Sequence, residues 1–407
     1  LADGHQPVRI CRDPERWRQE REQQFPGSER FWQLCQRLHA SNWAFAARRP
    51  VLPPRNGWDL NQLLGAIGPG NVLSGLLTAA TVADLLRLCG CSGPKHQRLR
   101  RFLDLQLKLY SQEPANRTAA LYGVTVLAMV QEPLGLWHLH GSMQELSTSL
   151  ETALHQAGGE LRLRHRVDTL QATSDGWHVQ GIGPKGQSFS IGAADVVCSL
   201  PPQILPKLLG DQMPTGLQRR VEGLGDPSGA LVLYGAVTRD ALPADCPSHL
   251  QLDWQQPGSL FISISQEGDG RAPAGQATVI ASVFTGAKRW FDLEPAAYTT
   301  AKAEAQRGIE AGLQQLLGLQ ESHWLHRELA TPRGFARWTG RPFGFVGGIG
   351  QAPDRFGPFG LASRSPLAGL WLCGDAIYPG EGTAGVSLSA EMAVRQLLAQ
   401  RNVGRAA

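Results

Sequence analysis

Several things are scarce in this chain of 407 residues. It has no uninterrupted apolar run of about 18 residues, the length a helix needs to cross a bilayer, so no transmembrane span is expected. Its opening, Leu-Ala-Asp-Gly-His-Gln-Pro, lacks the basic stretch and apolar core of a secretory leader. The seven cysteines (11, 35, 89, 91, 198, 246 and 373) are dispersed, and the one close pair, Cys89 and Cys91, has no histidine partners. That pattern argues against a metal site and suits a reducing compartment. Charge of one sign is also lacking: a net charge of +4 is no nucleic-acid footprint, although it leaves contact with an anionic membrane surface open.

A dinucleotide fingerprint in its proper setting is missing too. Gly181-x-Gly183-x-x-Gly186 fits the letters, but Pro184 and the alternating Ser188–Ile191 make it a hairpin turn and not a helix start. Gly347–Gly350 and Gly223–Gly225 likewise lack the strand-then-helix context that such a motif requires.

What is present concentrates near the end of the chain. A short apolar strand, Leu370 to Cys373, leads to Gly374-Asp375 and then to Tyr378-Pro379-Gly380-Glu381-Gly382-x-Ala384-Gly385. Val386, Leu388, Met392, Ala393, Leu397 and Leu398 follow at helical spacing. No bulky side chain precedes Val386 in the first turn, and a helix start carries N–H groups with partial positive charge, which suits an electron-rich ligand. Asp375, at the strand tip, can accept hydrogen bonds from sugar-like hydroxyls. The plain alternative is a strand-to-helix turn that is merely tight.

The motif Gly374-Asp375-x-x-Tyr378-Pro379-Gly380-Glu381-Gly382-x-Ala384-Gly385-x-Ser387-x-Ser389-Ala390 resembles the C-terminal flavin motif of the FAD-dependent carotenoid desaturase and isomerase family. It is most similar to the cyanobacterial carotenoid 3,4-desaturase-like branch. Gly141-Ser142-Met143-x-x-Leu146 resembles that family's strand-to-helix segment, with Ser142 in place of a second glycine. Thr331-Pro332-Arg333-x-Phe335-x-Arg337-x-Thr339-Gly340-x-Pro342-x-Gly344-x-Val346-Gly347-Gly348 resembles the stretch that returns to the flavin domain. The likeness extends over essentially the whole chain, with its sharp motifs in residues 135–202 and 330–398.

The resemblance implies an α/β fold in which a Rossmann-like FAD domain is interleaved with a mixed-sheet substrate domain and a helical, membrane-facing subdomain. The expected division is 1–132 for the first part of the substrate and helical domain, 133–200 for the middle of the FAD domain, 201–338 for the second part of the substrate domain, and 339–407 for the C-terminal part of the FAD domain. It also implies FAD contacts from Val167, Gly374, Asp375, Gly380, Gly382, Thr383, Ala384, Gly385 and Val386. Family chains begin with a βαβ unit of about a hundred residues that is not seen here. The expectation is therefore an N-terminally truncated chain with impaired FAD binding.

Along the chain, Pro7–Cys11 reads as a strand, Asp13-Pro14 as a helix start and Ser28 as another. Residues 57–91 turn apolar, broken by Gly68-Pro69-Gly70, and a basic cluster at 95–101 follows. These read either as ordinary core helices with a solvated basic face or as helices lying in a membrane interface on its cytoplasmic side. Residues 160–168, 177–180, 188–191 and 194–198 read as a β-meander; strands at 229–237, 250–254, 259–265 and 277–284 precede a helix at 295–317. Phe261, Ile264, Val283, Phe284, Trp290 and Phe291 either line a tunnel for a long apolar molecule or form plain core.

The function implied by the resemblance is removal of hydrogen across a C–C bond of a carotenoid, or isomerisation of its polyene. Glu381, the one carboxylate inside the glycine loop, is the candidate acid or base, with a simple loop anchor as the alternative. The rival readings are an amine-oxidase-like flavoprotein, for which no polar or aromatic cage is visible in the sequence, and an inactive carotenoid carrier.

Overall fold

Asp13 accepts a hydrogen bond from the Arg16 N–H at 2.7 Å and Pro14 takes the first helical position, so helix α1 (Pro14–Gln24) begins where the cap demands. The computed structural model describes residues 6–406; part of the opening stretch, residues 1–5, lies outside them. Residues 6–11 form no strand: the Arg9 N–H, which a ladder would use, donates instead to Glu20 Oε1 at 2.9 Å.

Helix α2 (Glu29–Ala46) begins directly after Ser28, as its sequence implies. The apolar stretch folds into α3 (Gly57–Ala66), α4 (Pro69–Gly75) and α5 (Val82–Leu88), with the break at Gly68-Pro69 as the sequence implies. Helices α6 (Gln97–Ser111) and α7 (Ala120–Ala128) complete this part. Asn42 of α2 fastens α7 by donating to Leu121 O at 2.8 Å and to Thr125 Oγ1 at 2.9 Å.

Helix α8 (Gln144–Gln156) follows, but the strand expected before it does not form, because residues 135–141 have no ladder partner among the described residues. Strands β1 (Arg166–Thr173), β2 (Gly176–Ile182) and β3 (Ser188–Ala193) make an antiparallel meander, with Gly181–Gly186 at its hairpin turn. β1 starts several residues later than the 160–168 reading. The fourth expected meander strand, β4 (Val196–Cys198), leaves this sheet and pairs in parallel with β10 (Leu370–Leu372). Helices α9 (Leu205–Leu209) and α10 (Thr215–Glu222) lie between them in sequence.

The strands β5 (Ser228–Thr238), β6 (His249–Leu252), β7 (Leu260–Ile264), β8 (Gln276–Gly286) and β9 (Trp324–Ala330) form one sheet in the order β6-β7-β8-β5-β9. Every pairing in it is antiparallel, which corrects the expected mixed sheet. The short connections from β6 through β8 permit hairpins and leave no room for parallel crossovers. Helix α11 (Pro295–Leu317) ends at Gly318 in a left-handed cap, and α12 (Pro332–Thr339) follows. Of the residues considered for a tunnel, Ile264, Val283 and Trp290 are buried in the core built on this sheet.

By contacts the chain divides into two units. One holds Leu136–Arg164 and Ser228–Val346; the other holds Val8–Gly135, His165–Pro227 and Gly347–Ala407, which includes the last helix, α13 (Gly382–Ala406). The early helices thus fall with the strand–loop–helix stretch, where the sequence reading had grouped 1–132 with 201–338. The reason is a shared core: Val51 and Trp58 pack in one cluster with Leu370, Leu372, Ile377 and Met392.

Candidate functional site

Val167, Glu381 and the Gly374–Val386 stretch all lie within the second unit, whereas the Gly141–Leu146 and Thr331–Val346 motifs lie in the first. β10 is fully buried, and just past its end the Cys373 N–H donates to Cys198 O at 3.0 Å. Ser389 of α13 ties the strand end to the helix: its Oγ accepts from the Gly374 N–H at 2.9 Å and donates to Val386 O at 2.9 Å. Asp375 is half-buried at the strand tip.

The loop then folds back on the first turn of α13. Gly380 has φ +115°, and a Cβ there would sit 2.5 Å from Gln351 Oε1. A Cβ on Gly385 would come within 2.3 Å of Gly380 O, so only glycine permits this approach of loop to helix. Gly382, Thr383 and Ala384 are exposed, and nothing lies within 4 Å of a Cβ built on Gly382. An exposed helix start of this kind is what an electron-rich ring or an anion needs.

Behind that opening sits Glu381. Its Oε2 accepts from Gln112 Nε2 at 2.7 Å, while Oε1 is buried with no hydrogen-bond partner among the described residues. Burial pushes the carboxyl up to about 7, offset only in part by the Gln112 amide, the Gly348 N–H and the Gln351 side chain, and reinforced by the nearby Asp375 charge. Such a group holds or releases a proton near neutral pH. Beside it the Tyr122, Phe356 and Tyr378 rings form a chain, with centroids 5.9 Å and 5.7 Å apart. Burial raises both tyrosine hydroxyls well above their ordinary range, and Tyr122 also faces the Glu381 charge. An aromatic cluster beside a carboxyl is therefore present, although the sequence reading saw none.

Val167 is on β1, half-buried against the same core cluster as Leu370 and Ile377. Gln112, Gln351 and Gly348 escaped the sequence reading. Gln112 closes α6 in the left-handed conformation (φ 60°), and no motif marks it. Gly347-Gly348 had a signal, since it ends the Thr331–Gly348 stretch, and its tight backbone makes room for the acid: a Cβ on Gly347 would meet Glu381 Oε2 at 2.7 Å.

A family model described as flavin containing amine oxidoreductase matches residues 74–398. The chain belongs to the flavin-containing amine oxidoreductase family. The cofactor of this family member is accordingly FAD. The residues fit it: the helix start is open, the loop is pressed flat by its glycines, and the buried Oε1 of Glu381 awaits a partner.

Among curated proteins, the chain is 24% identical over 321 residues to the chloroplastic prolycopene isomerase of Arabidopsis thaliana, covering 75% of this chain and 52% of that protein. It is 28% identical over 180 residues to the chloroplastic prolycopene isomerase of Daucus carota, covering 42% of this chain and 29% of that one. The chain thus spans about half the length of the first relative and under a third of the second. Among solved structures it resembles putrescine oxidase bound to putrescine (TM-score 0.57, 15% identity, 96% of this chain and 77% of that chain). It also resembles an oxidoreductase from Methanosarcina mazei (TM-score 0.54, 12% identity, 77% and 68%). At such identities these structures establish the fold, a mixed α/β architecture like that of flavin amine oxidases. Among the described residues no helix is long and apolar enough to cross a membrane.

Proposed function

We propose that this FAD-dependent oxidoreductase acts on the polyene of a carotenoid, desaturating or isomerising it. The observation that carries the reading is the similarity to two prolycopene isomerases, one of them over three quarters of the chain. It is supported by a carboxyl whose proton is labile near pH 7, set among aromatic side chains that suit an apolar substrate. When bound, FAD supplies reversible two-electron acceptance. The chain's own residues do the rest. Asp375 would accept from the cofactor's hydroxyls, with Gly374 and Gly380 shaping the turn around it. The N–H groups of Gly382, Thr383, Ala384, Gly385 and Val386 would face the electron-rich edge of its ring, and Val167 would meet its other end. Glu381 would hold or take a proton at Oε1, screened from water by Tyr122 and Tyr378.

Gly385→Ala tests the loop. Its Cβ must push Gly380 O away, so flavin binding is expected to weaken at least tenfold, about 1.4 kcal/mol, in a titration followed by flavin fluorescence; unchanged affinity would remove the loop from the cofactor site.

Prolycopene offered to the FAD-loaded protein tests the substrate. A product of unchanged mass with altered retention marks isomerisation; loss of two hydrogens by mass spectrometry marks desaturation. An unaltered polyene overturns the proposal. The second reading, oxidation of an amine, is favoured by the pairing of an aromatic cluster with the Glu381 carboxyl. Peroxide release with putrescine, together with unaltered prolycopene, would establish it instead.

A further inference from the structure

Arg333, a cation of the Thr331–Gly348 stretch, has no part in the site described above. Its Nε donates to Trp290 O at 2.7 Å and its Nη2 to Leu293 O at 2.5 Å, while its guanidinium lies 4.2 Å from the ring centre of Tyr298. Tyr298 is fastened in turn, its hydroxyl 2.8 Å from Thr331 Oγ1. The indole N–H of Trp290 donates to Thr285 Oγ1 at 3.1 Å. The segment that follows β8 is thereby fixed in place, with this N–H and two of its carbonyls already satisfied. The loop between β6 and β7 closes on helix α11: Trp254 Nε1 donates to Gly308 O at 3.0 Å, and a Cβ on Gly308 would come within 2.8 Å of Gln256 O. All these residues belong to the first unit.

Between the loop, the segment and the helix lies a cavity of about 490 Å³. Its inner wall is apolar: Trp290 and Ala305 are buried, and Leu293 and Ala301 are half-buried. Its mouth is polar, since Gln256, Arg289 and Glu304 also line it and are exposed. The Arg289 guanidinium lies 5.7 Å from the ring centre of Trp290. Beyond that contact, none of these three side chains has a hydrogen-bond or ion-pair partner among the described residues. A single exposed charge needs no ligand, because water satisfies it. A cation and a carboxylate left unpaired on one apolar cavity are different, because sites for small molecules join apolar walls to a few polar groups that fix orientation.

We infer that this cavity binds a small zwitterion with an apolar body, its carboxylate on Arg289, its ammonium group on Glu304 and its apolar part against Trp290, Leu293, Ala301 and Ala305. Arg289 offers a planar fork of N–H donors that matches a carboxylate. Glu304 accepts from an ammonium group, and the Gln256 amide donates or accepts beside them. A purely anionic ligand would meet the Glu304 charge and a purely cationic one the Arg289 charge, so a molecule carrying both complements the mouth best. Room is ample, since a cavity of about 490 Å³ falls within the range of about 300–1,000 Å³ found for pockets that enclose whole ligands. A free dipeptide of apolar residues has the required features, with opposite charges at its two ends and aliphatic side chains between them. No lining residue is among those assigned to FAD or to proton transfer, so failure of this inference leaves the function proposed above untouched.

Isothermal titration calorimetry of the full chain with leucyl-leucine tests it, beside N-acetyl-leucyl-leucine, which lacks the ammonium group, and leucyl-leucine amide, which lacks the carboxylate. Saturable binding of the free dipeptide is expected, weakened about tenfold by either blocking group. Arg289→Gln should erase the preference for the free carboxylate, and Glu304→Gln the preference for the free ammonium group. That crosswise pattern is one a merely structural role would not produce. Ala301→Leu, which fills the cavity with another good helix former, should abolish binding at an unchanged thermal midpoint. Arg307→Gln, on an exposed residue of the same helix that does not line the cavity, should leave binding unchanged. Absence of saturable binding by leucyl-leucine overturns the inference, as does equal affinity for the three compounds or binding that survives both Arg289→Gln and Glu304→Gln.

Discussion

Glu381→Gln is expected to raise the thermal midpoint by a few degrees at pH 8.5 and to change it little at pH 5. The folded protein holds the Glu381 proton up to about pH 7, against an ordinary value of 4.5. Between those values the folded chain binds more protons than the unfolded one, so stability falls as pH rises. A shift of that size is worth on the order of 3 kcal/mol once the group is ionised in both states. Glutamine keeps the shape of the protonated acid and carries no charge to desolvate. Gln112 can turn its amide to accept from the new NH2. Thermal scans of both proteins across pH test the idea, and parallel profiles would show that the carboxyl is solvated and ordinary. The same substitution bears on function: a limb of the pH–rate profile near 7 in the natural enzyme should be absent from the variant.

Asp59→Ala is expected to cost about 3 kcal/mol, because it leaves the largely buried Arg364 without its carboxylate partner. Asp59 is wholly buried at the start of α3 and accepts four hydrogen bonds: from the Arg55 N–H at 3.0 Å, from Arg364 at 3.2 and 3.3 Å, and from Gln396 Nε2 at 2.9 Å. Arg364 in turn lies 4.8 Å from the ring centre of Trp371 on β10. One carboxylate therefore joins α3, the strand that ends in Gly374-Asp375, and the helix that follows Glu381. Asn in its place keeps the acceptor geometry without the charge and should cost less than Ala. Urea denaturation measures both, and a loss under 1 kcal/mol for Asp59→Ala would mean that Arg364 finds water or another partner. Flavin content should fall alongside stability.

Local chemistry made parts of this fold legible. Asp13-Pro14 announced α1, Gly68-Pro69 the break between α3 and α4, and Pro184 the hairpin that a glycine count alone would have mistaken for a nucleotide loop. Helix α11 ended where its apolar pattern met Gly318. Partnership over distance was not legible. Val196–Cys198 reads like one more meander strand, and only the arrival of Leu370–Leu372 more than a hundred residues later turns it into half of a parallel pair. Pro7–Cys11 alternates well enough for a strand yet meets no ladder partner among the described residues. Of the site, the glycine loop and Glu381 could be named from the sequence, because backbone constraint leaves a compositional mark. The amides around Glu381 could not, since Gln112 and Gln351 come from loops whose sequence carries no such mark.

The acid and the amide that tempers it stand 269 positions apart in sequence. Recombination between relatives that exchanges only the C-terminal segment would transmit the glutamate and leave its counterpart behind. Chimeras of that kind would keep their architecture while drifting in the acidity at which they work, which makes Gln112 a place where a lineage can retune the loop without touching it.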